Sequence, residues 1–177
     1  MHRLFVAICP PERIRDLLVD AMDDSPELRW VGDEQLHLTL RFIGEVERPL
    51  ADDLVAALGT IRFYRFDLQI RHLGRFDQRN GGALWAGVEP KAPLATLAAK
   101  VERACQSAGL EAERRDFHPH ITLARWRGRA SRAADAFIER NRGLASPPFE
   151  VNRFLLIESH LSRHGPHYEV VEEFPLI

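Results

Sequence analysis

Cysteine is scarce in this chain, and long apolar runs are absent. The 177 residues include two cysteines, Cys9 and Cys105, which lie far apart and outside any Cys-x-x-Cys pair. Such sparse spacing excludes a disulfide-rich secreted scaffold, so both thiols are expected to be reduced core residues. No stretch approaches the roughly 18 consecutive apolar residues of a membrane span. The sequence therefore predicts a protein without a transmembrane helix.

Lysine is also rare, and almost all basic residues are arginine. Of the 24 lysines and arginines, only Lys91 and Lys100 are lysines, and the net charge is −2. A chain without excess positive charge has no broad surface for nonspecific nucleic-acid binding. Arginines cluster at 114–115 and 125–132, and guanidinium groups bind phosphate through paired hydrogen bonds. Because a general preference for arginine over lysine explains most of them, only Arg125 is retained as a functional candidate.

The remaining composition is that of an ordinary globular protein. Hydrophobic residues make up 45% and charged residues 28% of the chain, which is typical of a soluble fold. At this length, residues 1–177 are expected to form a single domain, and a two-lobed one is equally compatible. The segment Met1–Cys9 lacks the basic region and the small-residue cleavage site of a signal peptide. We interpret it as a first strand and expect a cytoplasmic monomer.

Two short segments share the pattern His-x-Thr-Leu. They are His37-Leu38-Thr39-Leu40 and His120-Ile121-Thr122-Leu123. With few His and Thr residues in the chain, chance placement gives roughly 0.2 His-x-Thr pairs. Alternate side chains of a strand point to the same face, so each segment presents one imidazole beside one hydroxyl. A single such histidine is more often structural than catalytic, but the repetition indicates a shared site.

The two motifs occupy corresponding places of an internal repeat. Six residues between Leu4 and Leu17 recur in type 80 residues later, and the second motif follows the first by 83 residues. Recurrence at a fixed spacing indicates duplication of a structural unit. The repeats cover about 3–73 and 83–158, each in the order strand, helix, motif strand, helix, strand. A pseudo-twofold arrangement would place the motif strands on either side of one cleft.

Hydrophobic periodicity predicts the individual elements. Helices are predicted at about 10–22, 49–59, 92–108 and 130–142. Besides the second motif, strands are predicted at about 3–9, 35–43, 66–71, 150–159 and 167–173. Gly44 is expected to end the first motif strand, and Gly165-Pro166 to form the last turn. The Gly81-Gly82 pair indicates a turn rather than a phosphate loop, so residues 74–82 are predicted to be a connection.

Two imidazoles on opposite sides of one phosphate can catalyse an in-line displacement. One takes a proton from the attacking water while the other protonates the departing oxygen. An ordinary histidine pKa of about 6.5 lets one copy be neutral and the other charged near neutral pH. Threonine hydroxyls can donate to the non-bridging phosphate oxygens and stabilise the charge that develops in the transition state. This chemistry requires no metal ion and no other cofactor.

The residues around the motifs resemble those of a known family. The first motif continues as Leu40-Arg41-Phe42-Ile43-Gly44-Glu45-Val46, and the second as Ala124-Arg125. With these segments the chain resembles the two-histidine (2H) phosphoesterases, in particular the RNA 2′,3′-cyclic phosphodiesterases, also called 2′-5′ RNA ligases. The likeness extends to Leu84-Trp85-Ala86-Gly87 and to the ending from Gly165 through Leu176. It implies a bilobal, duplicated α+β fold with two antiparallel sheets, outer helices, and a central cleft carrying both motifs.

The resemblance also implies a reaction and a set of site residues. The reaction is hydrolysis of an RNA 2′,3′-cyclic phosphate end to a 2′-phosphate, with reversible 2′-5′ ligation as a related activity. His37 would donate a proton to the leaving 3′ oxygen and His120 would accept one from water, although the near-symmetric site allows these roles to be exchanged. Thr39 and Thr122 would hold the phosphate. The expected partner is an RNA or oligonucleotide end, with no metal or cofactor.

Three further candidates depend on local geometry. Arg125 corresponds to an additional cation of the family, but strict strand alternation places it on the face opposite Thr122 unless the strand bends. Phe42 and Tyr168 are candidates for contact with the nucleoside, with core packing as the alternative. Where the family often has Arg two residues before the second motif, this chain has His118, which would weaken phosphate affinity.

Three alternative functions compete with this interpretation. His118-Pro119-His120 has the form of a metal-ligand pair, but no third ligand follows at a recognisable spacing and both threonines stay unexplained. A phosphodiesterase acting on small cyclic nucleotides or on ADP-ribose cyclic phosphate would use the same four motif residues. A noncatalytic module that binds a nucleotide or an RNA end would need cations more than two titratable imidazoles. Turnover distinguishes the last alternative from an enzyme.

Overall fold

Strands and flanking helices alternate along the chain. The computed structural model describes residues 1–129 and 131–177. Its strands are β1 (His2–Ile8), β2 (Arg29–Trp30), β3 (Leu38–Val46), β4 (Phe66–Gln78), β5 (Gly81–Glu89), β6 (His120–Arg127), β7 (Phe149–Val151), β8 (Arg153–Ser162) and β9 (Gly165–Pro175). Its helices are α1 (Glu12–Ala21), α2 (Arg48–Leu58), α3 (Lys91–Ser107) and α4 (Arg132–Arg140). None of these described helices has the length and apolar run that crossing a membrane requires.

The helices begin at start signals in the sequence, and each buries one face. Pro49 lies in the first turn of α2, where its missing N–H leaves no hydrogen bond unmade. At the start of α4 the Ser131 hydroxyl accepts a hydrogen bond from the Ala134 N–H. Buried apolar residues then recur at helical spacing. They include Ile14 and Leu18 in α1, Leu54 and Leu58 in α2, and Leu94, Leu97 and Val101 in α3.

The strands follow one antiparallel path, which is narrow in the middle. Its order is β7-β4-β5-β6-β3-β1-β8-β9, with β2 paired to β6. β3 and β6 meet through one residue pair, Leu38 with Ile121. We call β3, β1, β8 and β9 the first sheet half, and β6, β5, β4, β7 and β2 the second sheet half. The two expected sheets are therefore joined at a pair that lies one residue after each motif histidine.

The two sheet halves exchange strands along the chain. β4 precedes β5 in sequence and pairs with it, so a strand from the first predicted repeat lies in the second sheet half. β8 comes late in the chain but pairs with β1, the first strand of all. The chain therefore passes from one half to the other repeatedly before either sheet half is complete.

The two faces of β1 have different surroundings. Alternate residues such as Val6 belong to the main hydrophobic core, which the helices share. Phe5 and Ala7 point the other way and form a smaller cluster with Leu155 and Ile157 of β8. The face turned away from the helices thus has an apolar floor of its own, and this face carries the candidate site.

Three predicted boundaries are wrong. β4 continues to Gln78, so most of the predicted connection at 74–82 is a hairpin with the two-residue turn 79–80. β3 starts at Leu38 and runs through Gly44, whose positive φ of 90° accommodates a distortion within the strand. The last turn lies at 163–164, and Gly165 already belongs to β9. The predicted start of the fourth helix at about 130 falls outside the described residues.

Candidate active site

Both motif threonines lie on the face of the sheet that the helices leave free. Thr39 pairs with Ala7 of β1, and Thr122 pairs with Trp85 of β5. The leucines and the isoleucine on either side of these threonines belong to the main core on the opposite face. Strand alternation therefore directs both hydroxyls to the same side, as the motif spacing predicts.

The two imidazoles are held by the same hydrogen bond. Nδ1 of His37 lies 2.6 Å from the carbonyl oxygen of Gln35, and Nδ1 of His120 lies 2.6 Å from that of His118. A carbonyl only accepts, so each Nδ1 carries the proton and donates it. Each neutral ring then has its lone pair on Nε2. Both histidines are thus oriented with the nitrogen that exchanges protons directed away from the backbone.

Aromatic rings fix the position of each imidazole. The ring of His37 has its centroid 4.9 Å from that of Phe5 and 5.5 Å from that of Tyr168. The ring of His120 packs edge to face on Phe76 at 4.9 Å and lies 6.1 Å from Trp85. Contacts of this kind restrict rotation about the side-chain bonds. Tyr168 therefore lies beside a motif histidine, whereas Phe42 lies elsewhere on the same face.

A β-bulge in β6 determines the direction of Arg125. Thr122 pairs with Trp85, but the next pair joins Ala124 to Leu84, so Leu123 is an extra residue on β6. An extra residue reverses the alternation beyond it. Arg125 is exposed while Leu123 and Ala124 are both buried. The guanidinium therefore lies on the same face as the Thr122 hydroxyl, and the bend that the sequence left open is present.

The same bulge occurs in β3 at the equivalent leucine. Thr39 pairs with Ala7 and Arg41 with Val6, so Leu40 is the extra residue. Arg41 consequently points into the core, where its Nε donates to the carboxylate of Glu102 at 2.6 Å.

Phe42 follows Arg41 and returns to the face of Thr39, where it pairs with Phe5 of β1. Its ring is 40% exposed, with the guanidinium of Arg3 5.8 Å from its centroid. Phe42 stands in β3 where Arg125 stands in β6, so one half of the site has an aromatic ring and the other a cation.

Burial and positive charge make both imidazoles harder to protonate. Burial lowers the pKa of His37, and the charges of Arg125 and His120 lower it further against the opposing effect of the Gln35 carbonyl. Burial likewise lowers the pKa of His120, with Arg125 and His118 adding to the effect. The charge of Arg125 thus lowers the pKa of both imidazoles. A bound anion would offset this charge and restore the proton to one ring.

The family is settled by comparison of the whole chain with known proteins. A family profile described as the 2′-5′ RNA ligase superfamily matches residues 10–163. The chain belongs to this superfamily. The resemblance to two-histidine phosphoesterases is therefore confirmed.

Relatives in the 2′-5′ RNA ligase superfamily align over nearly the full length. An RNA 2′,3′-cyclic phosphodiesterase of Aeropyrum pernix is 38% identical over 91% of this chain and 92% of its own. One of Thermus thermophilus is 34% identical over 98% of this chain and 90% of its own. The crystal structure of E. coli LigT complexed with 3′-AMP has a TM-score of 0.82 at 27% identity, covering 99% of this chain and 98% of that one. The α+β fold class is confirmed.

Phe76 and Phe5 are neighbours of the superfamily's motif histidines that the sequence did not reveal as site residues. Phe76 falls in the segment predicted to be a connection, so the sequence did not predict the face of the sheet on which its side chain lies. The alternation of Gly74, Phe76 and their neighbours before a two-residue turn is the signal that would have extended β4. A Cβ at Gly74 would overlap the indole of Trp85. The missing side chain at Gly74 thus makes room for the rings that support His120.

Replacing Arg125 with glutamine is expected to move the pH profile of kcat/KM to higher pH. Without the guanidinium charge both imidazoles retain protons more easily, so both limbs of the bell-shaped profile shift in the same direction. Loss of a charged phosphate contact should also lower kcat/KM by about 10²-fold. Arg129→Gln, on an exposed residue beyond β6, is the matched control. A lower rate with an unmoved pH profile would contradict the effect of this charge on the pKa values of the two histidines.

Valine at Thr39 or Thr122 should lower kcat/KM by at most about 10³-fold each. Valine keeps the shape of the side chain and removes the hydroxyl, and losing one donor to a developing charge costs about 2–4 kcal/mol. Thr96→Val is the control because Thr96 is exposed on α3 and bonds only within that helix among the described residues. Unchanged kinetics in both motif variants would remove the hydroxyls from the phosphate site.

Proposed function

We propose that this protein hydrolyses a 2′,3′-cyclic phosphate at the end of an RNA and leaves a 2′-phosphate. The names of the superfamily relatives support the substrate class. The reaction type is supported by two imidazoles that present Nε2 to one face of the sheet, with two threonine hydroxyls and one guanidinium beside them. A histidine with only a structural role would not need a second histidine in the same arrangement.

The matching Nδ1 contacts are the observation that supports the proposal most directly. Gln35 and His118 stand two residues before their histidines and accept the same 2.6 Å hydrogen bond. A carbonyl acceptor fixes the tautomer of each neutral ring and stabilises the ring when it becomes charged. Both histidines are therefore equipped to act as acid in one step and as base in another.

In the proposed mechanism the two histidines act on opposite sides of the phosphorus. His120 takes the proton of the attacking water as its oxygen bonds to phosphorus. The bond from phosphorus to the 3′ oxygen breaks, and His37 gives its proton to that oxygen. Thr39, Thr122 and Arg125 would hold the non-bridging oxygens, where negative charge concentrates.

The aromatic residues of the first sheet half border the proposed nucleoside position. Tyr168 contacts both His37 and Phe5, and its ring centroid lies 5.1 Å from that of Phe5. If His37 protonates the 3′ oxygen, the ribose lies on this side of the phosphate. Phe42 presents an exposed ring on the same face, and bases stack on such rings.

The protein is further proposed to act as a cytoplasmic monomer. Both motifs come from one chain, so the site needs no residue of a second copy. Cys9 and Cys105 are free thiols, which fits a reducing compartment. Light scattering coupled to size-exclusion chromatography measures the oligomeric state directly.

The decisive experiment is incubation of chelator-treated protein with a short RNA that ends in a 2′,3′-cyclic phosphate. Chromatography against authentic standards then distinguishes the 2′-phosphate from the 3′-phosphate. We expect the 2′-phosphate, formed at a rate that the chelator does not change. A 3′-phosphate would show that the leaving oxygen is the 2′ oxygen and would overturn the proposed regiochemistry.

Absence of RNA hydrolysis would redirect the assignment. Turnover of a small cyclic nucleotide or of ADP-ribose cyclic phosphate under the same conditions would identify the alternative substrate. Binding of the RNA end without turnover of any cyclic phosphate would indicate the noncatalytic module.

A further inference from the structure

Gln35 makes two hydrogen bonds that connect His37 to a distant part of the chain. Its backbone carbonyl accepts from Nδ1 of His37 at 2.6 Å. Its side-chain amide donates from Nε2 to the carbonyl oxygen of Pro166 in β9, 131 residues further along the chain. The second bond uses a side chain that lies outside the His-x-Thr-Leu pattern, and the proposed hydrolysis assigns it no role.

The two residues of this second bond belong to opposite ends of β1. Gln35 precedes β3, which begins opposite the last residue of β1. Pro166 lies past the point at which β8 stops pairing with β1, beside the start of β1. The seven residues of β1 span roughly 20 Å. The hydrogen bond therefore requires the end of the β8–β9 hairpin to bend back over the sheet toward His37.

The bent end of this hairpin has little other support. We call residues 160–168 the hairpin end, and none of them is buried. Among the described residues, the bond from Gln35 is the only side-chain hydrogen bond between the hairpin end and the chain outside β8 and β9. The ring of Tyr168 adds its contacts with Phe5 and His37. Segments with few buried contacts open at low cost in free energy, so the loss of this one bond should be measurable.

The segment that carries Gln35 is anchored on its other side by α1. Gln35 closes the 3₁₀ turn Asp33–Gln35 and donates its N–H to the carbonyl of Gly32 at 2.9 Å. Arg15 of α1 donates from Nε to Oδ1 of Asp33 at 3.2 Å. Residue 35 lies outside every described strand, so these bonds and the one to β9 determine where its carbonyl points.

His118, the equivalent residue before the second motif, has no comparable anchor. Its carbonyl accepts from Nδ1 of His120 at 2.6 Å, but its side chain makes no hydrogen bond among the described residues. Residues 110–119, which lead to His120, contain no described helix or strand. The two site histidines therefore share the carbonyl bond and differ in what holds that carbonyl. This difference breaks the near-symmetry of the site in favour of His37.

We propose that Gln35 is a positioning residue for His37, holding the hairpin end over the site with its side chain and the imidazole with its carbonyl. This inference rests on the proposed function, which assigns to His37 the proton transfer to the leaving oxygen. Because one residue makes both bonds, movement of the hairpin end displaces the carbonyl and with it the ring. The acid is therefore correctly oriented only while the hairpin end is in place.

This arrangement couples the nucleoside side of the site to the orientation of the acid. Tyr168 belongs to the hairpin end and borders the proposed nucleoside position. A nucleoside that contacts Tyr168 would hold the hairpin end against the sheet, and Gln35 would pass that restraint to His37. A substrate without a nucleoside would lack this restraint, so the contribution of Gln35 is specific to substrates that need the proton of His37.

The kinetic test uses Gln35→Met, which keeps the length of the side chain and removes the amide donor. We expect kcat for an RNA 2′,3′-cyclic phosphate to fall about tenfold because the acid is misoriented. The loss should stay within about twofold for a phosphodiester whose p-nitrophenolate leaving group needs no proton. Gln78→Met, at the exposed end of β4, is the matched control and should stay within about twofold on both substrates.

Two further measurements on Gln35→Met do not depend on turnover. Hydrogen exchange of the hairpin-end amides should become about two- to tenfold faster, as expected for the loss of one hydrogen bond. Nitrogen NMR of the imidazoles should show His37 partly in the tautomer that carries its proton on Nε2. The ring of His120 should keep its proton on Nδ1 and serves as the internal control.

The outcomes separate this inference from the proposed function. Equal losses of kcat on both substrates would show that Gln35 has only a structural role, so the inference would fail while the proposed function stands. Unchanged hydrogen exchange in the hairpin end, or an unchanged tautomer of His37, would also overturn the inference. If the unmodified protein hydrolyses no cyclic phosphate, the proposed function fails, and the exchange and NMR measurements then decide whether Gln35 orients His37.

Discussion

Alanine at position 120 is expected to lower kcat for a 2′,3′-cyclic phosphate by about 10²–10⁴-fold, the range for loss of a general base. The variant removes the only described imidazole of the second sheet half whose Nδ1 is held by a backbone carbonyl. KM should change little because Thr39, Thr122 and Arg125 still hold the phosphate. Steady-state kinetics on a purified variant, with circular dichroism to show that the fold is kept, provides the measurement.

His160→Ala is the matched control for this variant. His160 is an exposed histidine on β8 whose ring contacts Glu169 in the neighbouring strand. Its loss should leave kcat within about twofold. Full activity of His120→Ala would eliminate the two-histidine mechanism, whatever the effect of other substitutions.

Alanine at position 37 should lower kcat for the cyclic phosphate as much as alanine at position 120 does. For some other substrates its effect should be smaller. His37 is assigned to the leaving oxygen, and a leaving group that departs as a stable anion needs no proton. We therefore expect about a 10²–10⁴-fold loss on the cyclic phosphate and a much smaller loss on a phosphodiester with a p-nitrophenolate leaving group. His120→Ala should be equally impaired on both.

The ratio of the activity losses on the two substrates determines which histidine is the acid. Rescue of His120→Ala instead of His37→Ala would exchange the two roles, which the near-symmetric geometry allows. Because His37 packs against Phe5 and Tyr168, its alanine variant leaves a gap. His37→Gln fills more of that space, and the same substrate ratio in both variants would exclude a packing artefact.

The family and the motif threonines could be predicted because they depend on short, local patterns. His-x-Thr-Leu occurs twice, and the alternation of strand side chains is enough to direct each hydroxyl. The direction of Arg125 could not be predicted in this way. Whether Leu123 is paired or extra is decided by the neighbouring strand, where Trp85 and Leu84 set the register. A bulge is a property of two strands, and one strand's sequence does not contain it.

The hairpin between β4 and β5 shows a second limit. Glycines at 74, 81 and 82 weaken the apparent strand because they lack side chains, so the segment was predicted as a connection. In the structure these glycines make room for large rings. A Cβ at Gly82 would overlap the indole of Trp126, as one at Gly74 would overlap that of Trp85. Packing against aromatic residues that are distant in sequence thus explains why these glycines lie in strands, which local propensity did not predict.

We propose that the two sheet halves arose by the duplication that the sequence indicates. Two features support it, each repeated at the 83-residue spacing of the motifs. The carbonyls of Gln35 and His118 bond the motif histidines. Leu40 and Leu123 are the bulged residues of their strands. Phe42 and Arg125 also stand 83 residues apart at equivalent positions after these bulges, but one is an aromatic residue and the other a cation.

Because β4 and β8 are exchanged between the sheet halves, neither half can form from one predicted repeat alone. β1 pairs with β3 along one edge and with β8 along the other. Until β8 joins it, one long edge of β1 is open, and open edges invite association with other chains. Phe5 of this same strand supports His37, and Tyr168 completes that support from β9. The aromatic support of His37 is therefore complete only when the last strand has joined the sheet, although His37 itself lies in the first quarter of the chain.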